Sequence, residues 1–150
     1  MTEMTGEILG DADFELINSA REAVLRGQLY PERHRIGAAL LTESGETFVG
    51  VSLLAEYVKS ADVCAEQVAL GQWATAACTS PVVTVAVMRK PRPSEADQHI
   101  KVVSSCGTCR ELLSDYFPEA RLIVPAEEGL RKYTLEDLLP SKYRSTPRDA

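Results

Sequence analysis

The sequence contains no run approaching the ~18 consecutive apolar residues of a membrane span. Its first residues, Met1-Thr2-Glu3-Met4, lack the basic start and apolar core of a secretory signal, so the expectation is a cytoplasmic protein without a membrane partner. Internal repeats, low-complexity tracts and a linker are also missing. Residues 1–150 therefore read as one domain, with residues 1–10 and 144–150 as flexible tails. Nor is there an excess of positive charge: 16 Lys and Arg stand against 22 Asp and Glu, a net charge of −6. A protein that grips nucleic acid needs a basic face to neutralise phosphates, so no nucleic-acid partner is expected. The one dense basic stretch, Arg89-Lys90-Pro91-Arg92, reads as a solvated loop.

What is present is ordinary for a globular protein, with 45% hydrophobic and 25% charged residues over 150 positions. A chain of this length buries a core without needing disulfides. Asp11 or Asp13 can cap a helix running to Arg26, with Phe14, Ile17, Ala20, Val24 and Leu25 on one face and Gly27 at its end. Residues 35–42 and 47–54 read as strands joined by the turn 43–46, a hairpin. Residues 64–78 predict a largely buried helix. The apolar run 82–88 predicts a central strand, and residues 100–104 and 120–124 two shorter ones. A short helix is expected over residues 107–116 and a helical turn over 134–139. Alternating strands and helices, opened by a hairpin, define an α/β layered domain.

The four cysteines carry most of the chemical information. With no export signal they read as thiols: Cys64, Cys78, Cys106 and Cys109. Cys64-Ala65-Glu66 and Cys106-Gly107-Thr108-Cys109 each fall where a strand or loop gives way to a helix. A helix start presents unpaired N–H groups and the positive end of the dipole, which favours a thiolate. Cys106 and Cys109, one helical turn apart, can converge on one ion, and Cys64 can complete a three-sulfur face for Zn²⁺. Cys78 lies 14 positions beyond Cys64, about 21 Å along a continuous helix, and reads as a core residue. Three protein ligands with an open position is the pattern of a catalytic zinc.

Glu66 then stands beside the open position, where a carboxylate can take a proton from water and deliver it to a substrate nitrogen and a leaving amine. Zinc deaminases have this arrangement, with the glutamate outside the coordination shell. Arg110 has two readings. A guanidinium can offset the net −1 of three thiolates and Zn²⁺ from the outer shell of the metal, or it can pair at the surface with Glu111 or Asp115.

With Cys64-Ala65-Glu66 and Ser105-Cys106-Gly107-Thr108-Cys109-Arg110 on the page, the sequence resembles the cytidine deaminase superfamily, and more narrowly the blasticidin S deaminases. His34-Arg35-Ile36-Gly37-Ala38-Ala39-Leu40 is similar to the family's first strand. Val102-Val103-Ser104, Glu111-Leu112, Ser114-Asp115-Tyr116 and the stretch from Leu135 to Tyr143 extend the likeness over most of the chain. The resemblance implies a three-layer α/β/α sandwich with a mixed five-stranded sheet, a homotetramer and one zinc per subunit. It also implies deamination of a cytosine-type ring, held by contacts from Ala65 and Ser104.

Three departures bear on the substrate. The family's usual proline before the second cysteine is Ser105 here. The Asn-x-Glu pair with which cytidine enzymes hold ribose is replaced by Ser52-Leu53-Leu54-Ala55-Glu56-Tyr57, leaving Ser52 and, with a one-residue shift, Glu56 as candidate substrate contacts. Losing groups built to bond a sugar hydroxyl argues against plain cytidine. His34 stands where phenylalanine commonly packs on the base, and reads as a surface loop end ahead of a ring contact. The expected reaction is hydrolytic loss of ammonia from a cytosine-type nucleoside, an aminonucleoside such as blasticidin S, or a free base. The main alternative is a structural zinc module with His99 as fourth ligand. A redox Cys106-x-x-Cys109 pair is a weaker one, because it leaves Cys64-Ala65-Glu66 unexplained.

Overall fold

The computed structural model describes residues 5–27 and 32–145. The elements run α1 (Asp11–Arg26), β1 (Arg35–Thr42), β2 (Thr47–Val51), α2 (Ala65–Thr75), β3 (Val82–Lys90), β4 (Lys101–Val102), α3 (Gly107–Tyr116), β5 (Arg121–Ala126) and β6 (Gly129–Thr134). The sheet order is β2-β1-β3-β5-β6, and the two-residue β4 pairs with β3. β1 is antiparallel to β2 and β3, whereas β3 and β5 are parallel and joined through α3.

Side-chain alternation builds the layers, since successive strand residues face opposite sides of a sheet. Leu40, Val85, Val87, Leu122 and Val124 pack on one face with Ala69 and Leu70 of α2 and Leu113 of α3. Ala39, Ala86, Met88 and Ile123 pack on the other with Leu16, Ile17, Ala20 and Val24 of α1. β3 is covered on both faces, which explains its unbroken apolar run. The expected mixed sheet with helices on both faces is present, but it has six strands rather than five.

The details differ in instructive ways. The fifth strand of the main path is β6, not residues 100–104, of which only Lys101–Val102 pairs. β6 reads poorly as a strand because Arg131 and Lys132 interrupt it, yet Lys132 Nζ reaches 2.8 Å to the buried Asp13. The expected helical turn after Thr134 is a single turn, in which Leu138 N–H donates to Thr134 O.

On α1 the buried stripe is Leu16, Ile17, Ala20, Ala23 and Val24. Phe14 and Leu25 lie about 120° and 140° from Ala20 at ~100° per residue, and both are exposed. Asp13 does not precede the helix but accepts from the Gly10 N–H within its first turn. Of the expected tails, residues 1–4 and 146–150 lie outside the described residues. Glu7, by contrast, is held, exchanging two backbone hydrogen bonds with Lys132.

Two further differences shape the site. α2 ends at Thr75, with Ala77 at φ 51°, so Cys78 lies beyond the helix. There it is half-buried, its Sγ near Ser80 O and Glu46 Oε2, rather than packed in the core. β2 stops at Val51, after which Leu53 forms an isolated bridge with Val63. That bridge lays residues 52–54 beside the approach to α2. The helix sits very close to β2 because position 50 is glycine: a Cβ there would come 2.4 Å from Ala65 O.

Candidate metal centre and active-site cavity

Cys64 and Cys106 are the residues immediately ahead of α2 and α3, and Cys109 lies in the first turn of α3. Both backbones turn from extended to helical at the cysteine, which points two helix starts at one place. The Sγ atoms of Cys64, Cys106 and Cys109 all lie within 4.8 Å of one another, with Cys64 and Cys106 3.7 Å apart. Zn–S bonds of about 2.3 Å in a tetrahedron place sulfurs about 3.8 Å apart, so the cluster has the dimensions of a zinc site. It is the one such group of three among the described residues.

Burial, followed by the effect of Glu66 and of the neighbouring thiols, pushes Cys109 well above the ordinary thiol value. Burial raises Cys64 as well, with Cys106 and Glu66 adding to it and a Cys109 hydrogen bond opposing it. The helix starts alone therefore do not secure thiolates here. A shared dication would stabilise three crowded sulfurs as anions.

Cys64, Ala65, Glu66, Ser104 and Cys106 line a cavity of about 260 Å³. Ile36, Leu54, Val63, Val87 and Val103 supply apolar wall, and His34, Ser52 and Asp62 the remaining polar groups. Glu66 is buried, and its Oε1 accepts a 2.5 Å hydrogen bond from the Ser105 hydroxyl. Ser52 is also buried, with its Oγ accepting from the Ile36 N–H at 3.1 Å.

The structure thus brings Ser52, Cys64, Ala65, Glu66, Ser104 and Cys106 to one cavity, with Cys109 beside it in the sulfur cluster. Glu56 is not among them: it is exposed on the 55–62 loop, and Asp62 at the end of that loop reaches the cavity instead. Asp62 Oδ1 accepts from Ala55 N–H at 2.6 Å, closing the loop at its neck. The signal for it was an acid two positions before Cys64. His34 faces the cavity rather than ending a loop on the surface. Burial, and then the charges of Arg89, Arg92 and Arg33, lowers its pKa below 6.5, so it presents a neutral ring at pH 7.

Arg110 takes neither expected partner. It donates to Ser104 Oγ at 2.5 Å and to Leu138 O at 3.4 Å, while Lys142 pairs with Glu111 and Asp115. Its Nε is buried without a hydrogen bond. His99 is far too exposed for a closed metal site and bonds Asp97. Of the basic stretch, Arg89 and Lys90 end β3, and Arg89 pairs with Glu95 at 2.9 Å.

No protein-family model matches the chain. Among solved structures it is similar to cytidine deaminase from Mycobacterium tuberculosis, at 22% identity and TM-score 0.70, covering 91% of this chain and 99% of that one. Cytidine deaminase from Burkholderia pseudomallei matches at 25% identity and TM-score 0.66, covering 87% and 98%. The Bacillus anthracis enzyme matches at 20% and 0.72, covering 89% and 90%. The fold is that of the cytidine deaminases. In sequence, the chain is 38% identical over 136 residues to blasticidin-S deaminase from Bacillus cereus, spanning 90% of this chain and 94% of the relative. It belongs to the cytidine deaminase superfamily, alongside the blasticidin-S deaminases, and is a deaminase.

Proposed function

We propose that this protein is a zinc-dependent hydrolase that removes the exocyclic amine from an aminated heterocycle and releases ammonia. The substrate class is a cytosine-type nucleoside, an aminonucleoside such as blasticidin S, or a free base. The observation that carries this reading is the three-sulfur cluster opening on a cavity that Glu66 also lines. Cys64, Cys106 and Cys109 would hold the zinc, which would supply a Lewis acid able to bring the pKa of water down towards about 7. Glu66 accepts a proton from that water and donates it to the ring nitrogen. The water oxygen adds to the amine-bearing ring carbon, Glu66 carries the second proton to the amine, and the C–N bond breaks, so that ammonia leaves and the ring keeps the oxygen as a carbonyl. The apolar walls keep bulk water from the ring and strengthen these charge interactions.

Ala65 and Ser104 flank Glu66 and the sulfurs in the cavity wall, in position to bind the ring. In place of an amide–carboxylate pair for ribose the cavity has Ser52 and Leu54, and Ser52, whose Oγ accepts from the Ile36 N–H, keeps its O–H to donate. Asp62, the other acid of the cavity lining, has Oδ1 taken by the Ala55 N–H and Oδ2 3.9 Å from Arg33 Nη2, so its charge is largely answered within the protein. The missing pair weighs towards an aminonucleoside over plain cytidine. The deciding experiment is ammonia release by zinc-replete protein across cytidine, deoxycytidine, blasticidin S and free bases. The reading expects turnover of at least one, and no turnover of any would overturn it.

Arg110 acts from the outer shell of the metal site by holding Ser104 Oγ, two positions before Cys106. Arg110→Ala is expected to weaken zinc binding by about 10–100-fold, measured by competition with a chromophoric chelator. The family likeness supports a single-domain chain assembling as a homotetramer in the cytoplasm. Among the described residues no helix is long and apolar enough to cross a membrane.

A further inference from the structure

Glu66 comes from the first turn of α2, and Ser105 from the extended segment that leads into α3, 39 positions away. Glu66 is 3% exposed and Ser105 2%. Their hydrogen bond runs from the Ser105 hydroxyl to Glu66 Oε1. It engages Oε1 alone, and Oε2 takes no hydrogen bond among the described residues. Ser105 does not line the cavity, whereas Glu66 does, so the serine hydroxyl reaches the cavity through the carboxylate it bonds. The segment is braced from its other side as well, where Arg110 holds Ser104 Oγ. A proline at position 105 would have no hydroxyl to give.

We infer that Ser105 is a positioning residue: it locks the rotamer of Glu66 through Oε1 and thereby presents Oε2 to the reacting ring. A glutamate has three side-chain torsions, and proton transfer needs its oxygen within about 2.6–3.2 Å of the target atom. A free carboxylate would sample other orientations, and the hydroxyl selects one. This inference rests on the deaminase reading for its kinetic consequences but not for its structural one.

The experiment uses zinc-loaded full-length protein with the substrate that the panel identifies. Ser105→Ala is expected to lower kcat about 10–100-fold, the scale of a small misplacement at a reacting centre. KM should stay within about twofold, since ground-state binding is untouched. An analogue with a tetrahedral hydroxyl-bearing carbon at the reacting position should lose affinity by the same factor as kcat/KM. In a Glu66→Ala background, Ser105→Ala should cost nothing more, because the two residues act as a unit. Ser105→Thr keeps the hydroxyl and should recover most of kcat. A crystal structure of Ser105→Ala should show the Glu66 carboxylate rotated or split between rotamers. The inference is overturned if folded, zinc-loaded Ser105→Ala keeps wild-type kcat, or if Ser105→Thr is as slow as the alanine variant. An equal loss in the Glu66→Ala background, or a Glu66 rotamer unmoved in the crystal, would also overturn it. Wild-type protein inactive on every ring tested would sink the deaminase reading instead, and the rotamer would still decide the role of Ser105.

Discussion

Glu66→Ala should lower kcat by about 10²–10⁴-fold, the usual contribution of a positioned acid–base group, while the protein still binds one zinc per chain. The separation follows from geometry. The three sulfurs already form a set of zinc dimensions without the carboxylate, and Glu66 Oε1 is committed to the Ser105 hydroxyl. Removing the side chain leaves that buried hydroxyl unpaired, which costs about 1–3 kcal/mol of stability. A modest fall in Tm should therefore accompany the loss of rate. Glu66→Gln, which keeps an acceptor for Ser105, should be equally slow but more stable. Zinc content by atomic emission and kcat on the same preparation check both halves. A variant that lost its metal would show that Glu66 is a ligand.

Cys64→Ser should abolish zinc binding and activity together, and should lower Tm because metal affinity is coupled to folding. It separates the competing readings better than changes at the other sulfurs do. A redox pair of Cys106 and Cys109 would not need Cys64, which sits 42 positions away in sequence and 3.7 Å away in space from Cys106. A structural site completed by His99 would lose metal with His99→Ala. The exposed ring of His99, bonded to Asp97, leads us to expect full zinc content in that variant. Retention of zinc by Cys64→Ser would overturn the three-sulfur site.

The Cys106–Cys109 pair was legible in the sequence because its geometry is local, whereas Cys64, 42 positions from Cys106, joins it through the fold. A cysteine just before a helix, and another one turn later, point their sulfurs the same way wherever the helix is placed. The apolar run of β3 was legible for the same reason, and so was the existence of α1, although its buried face was read only in part: Ile17, Ala20 and Val24 are buried, Phe14 and Leu25 are not. Glu56 and Asp62 show where this stops. Both are acids on one loop, and only its closure by the Asp62–Ala55 bond decides which reaches the cavity. β6 was hidden because its Lys132 is satisfied by a buried carboxylate on a distant helix, a pairing that no strand periodicity records.

The sequence by itself determined the elements that carry the sulfurs, the residue types of the metal site and the acid beside it, since spacing along a helix start is enough to specify them. The tertiary structure alone decided which polar groups share the cavity: His34 and Asp62 inside, Glu56 outside, Ser105 on Glu66. Those contacts join segments tens of residues apart, and their distances are set by how α2 and α3 seat on the sheet, not by any local preference of the chain.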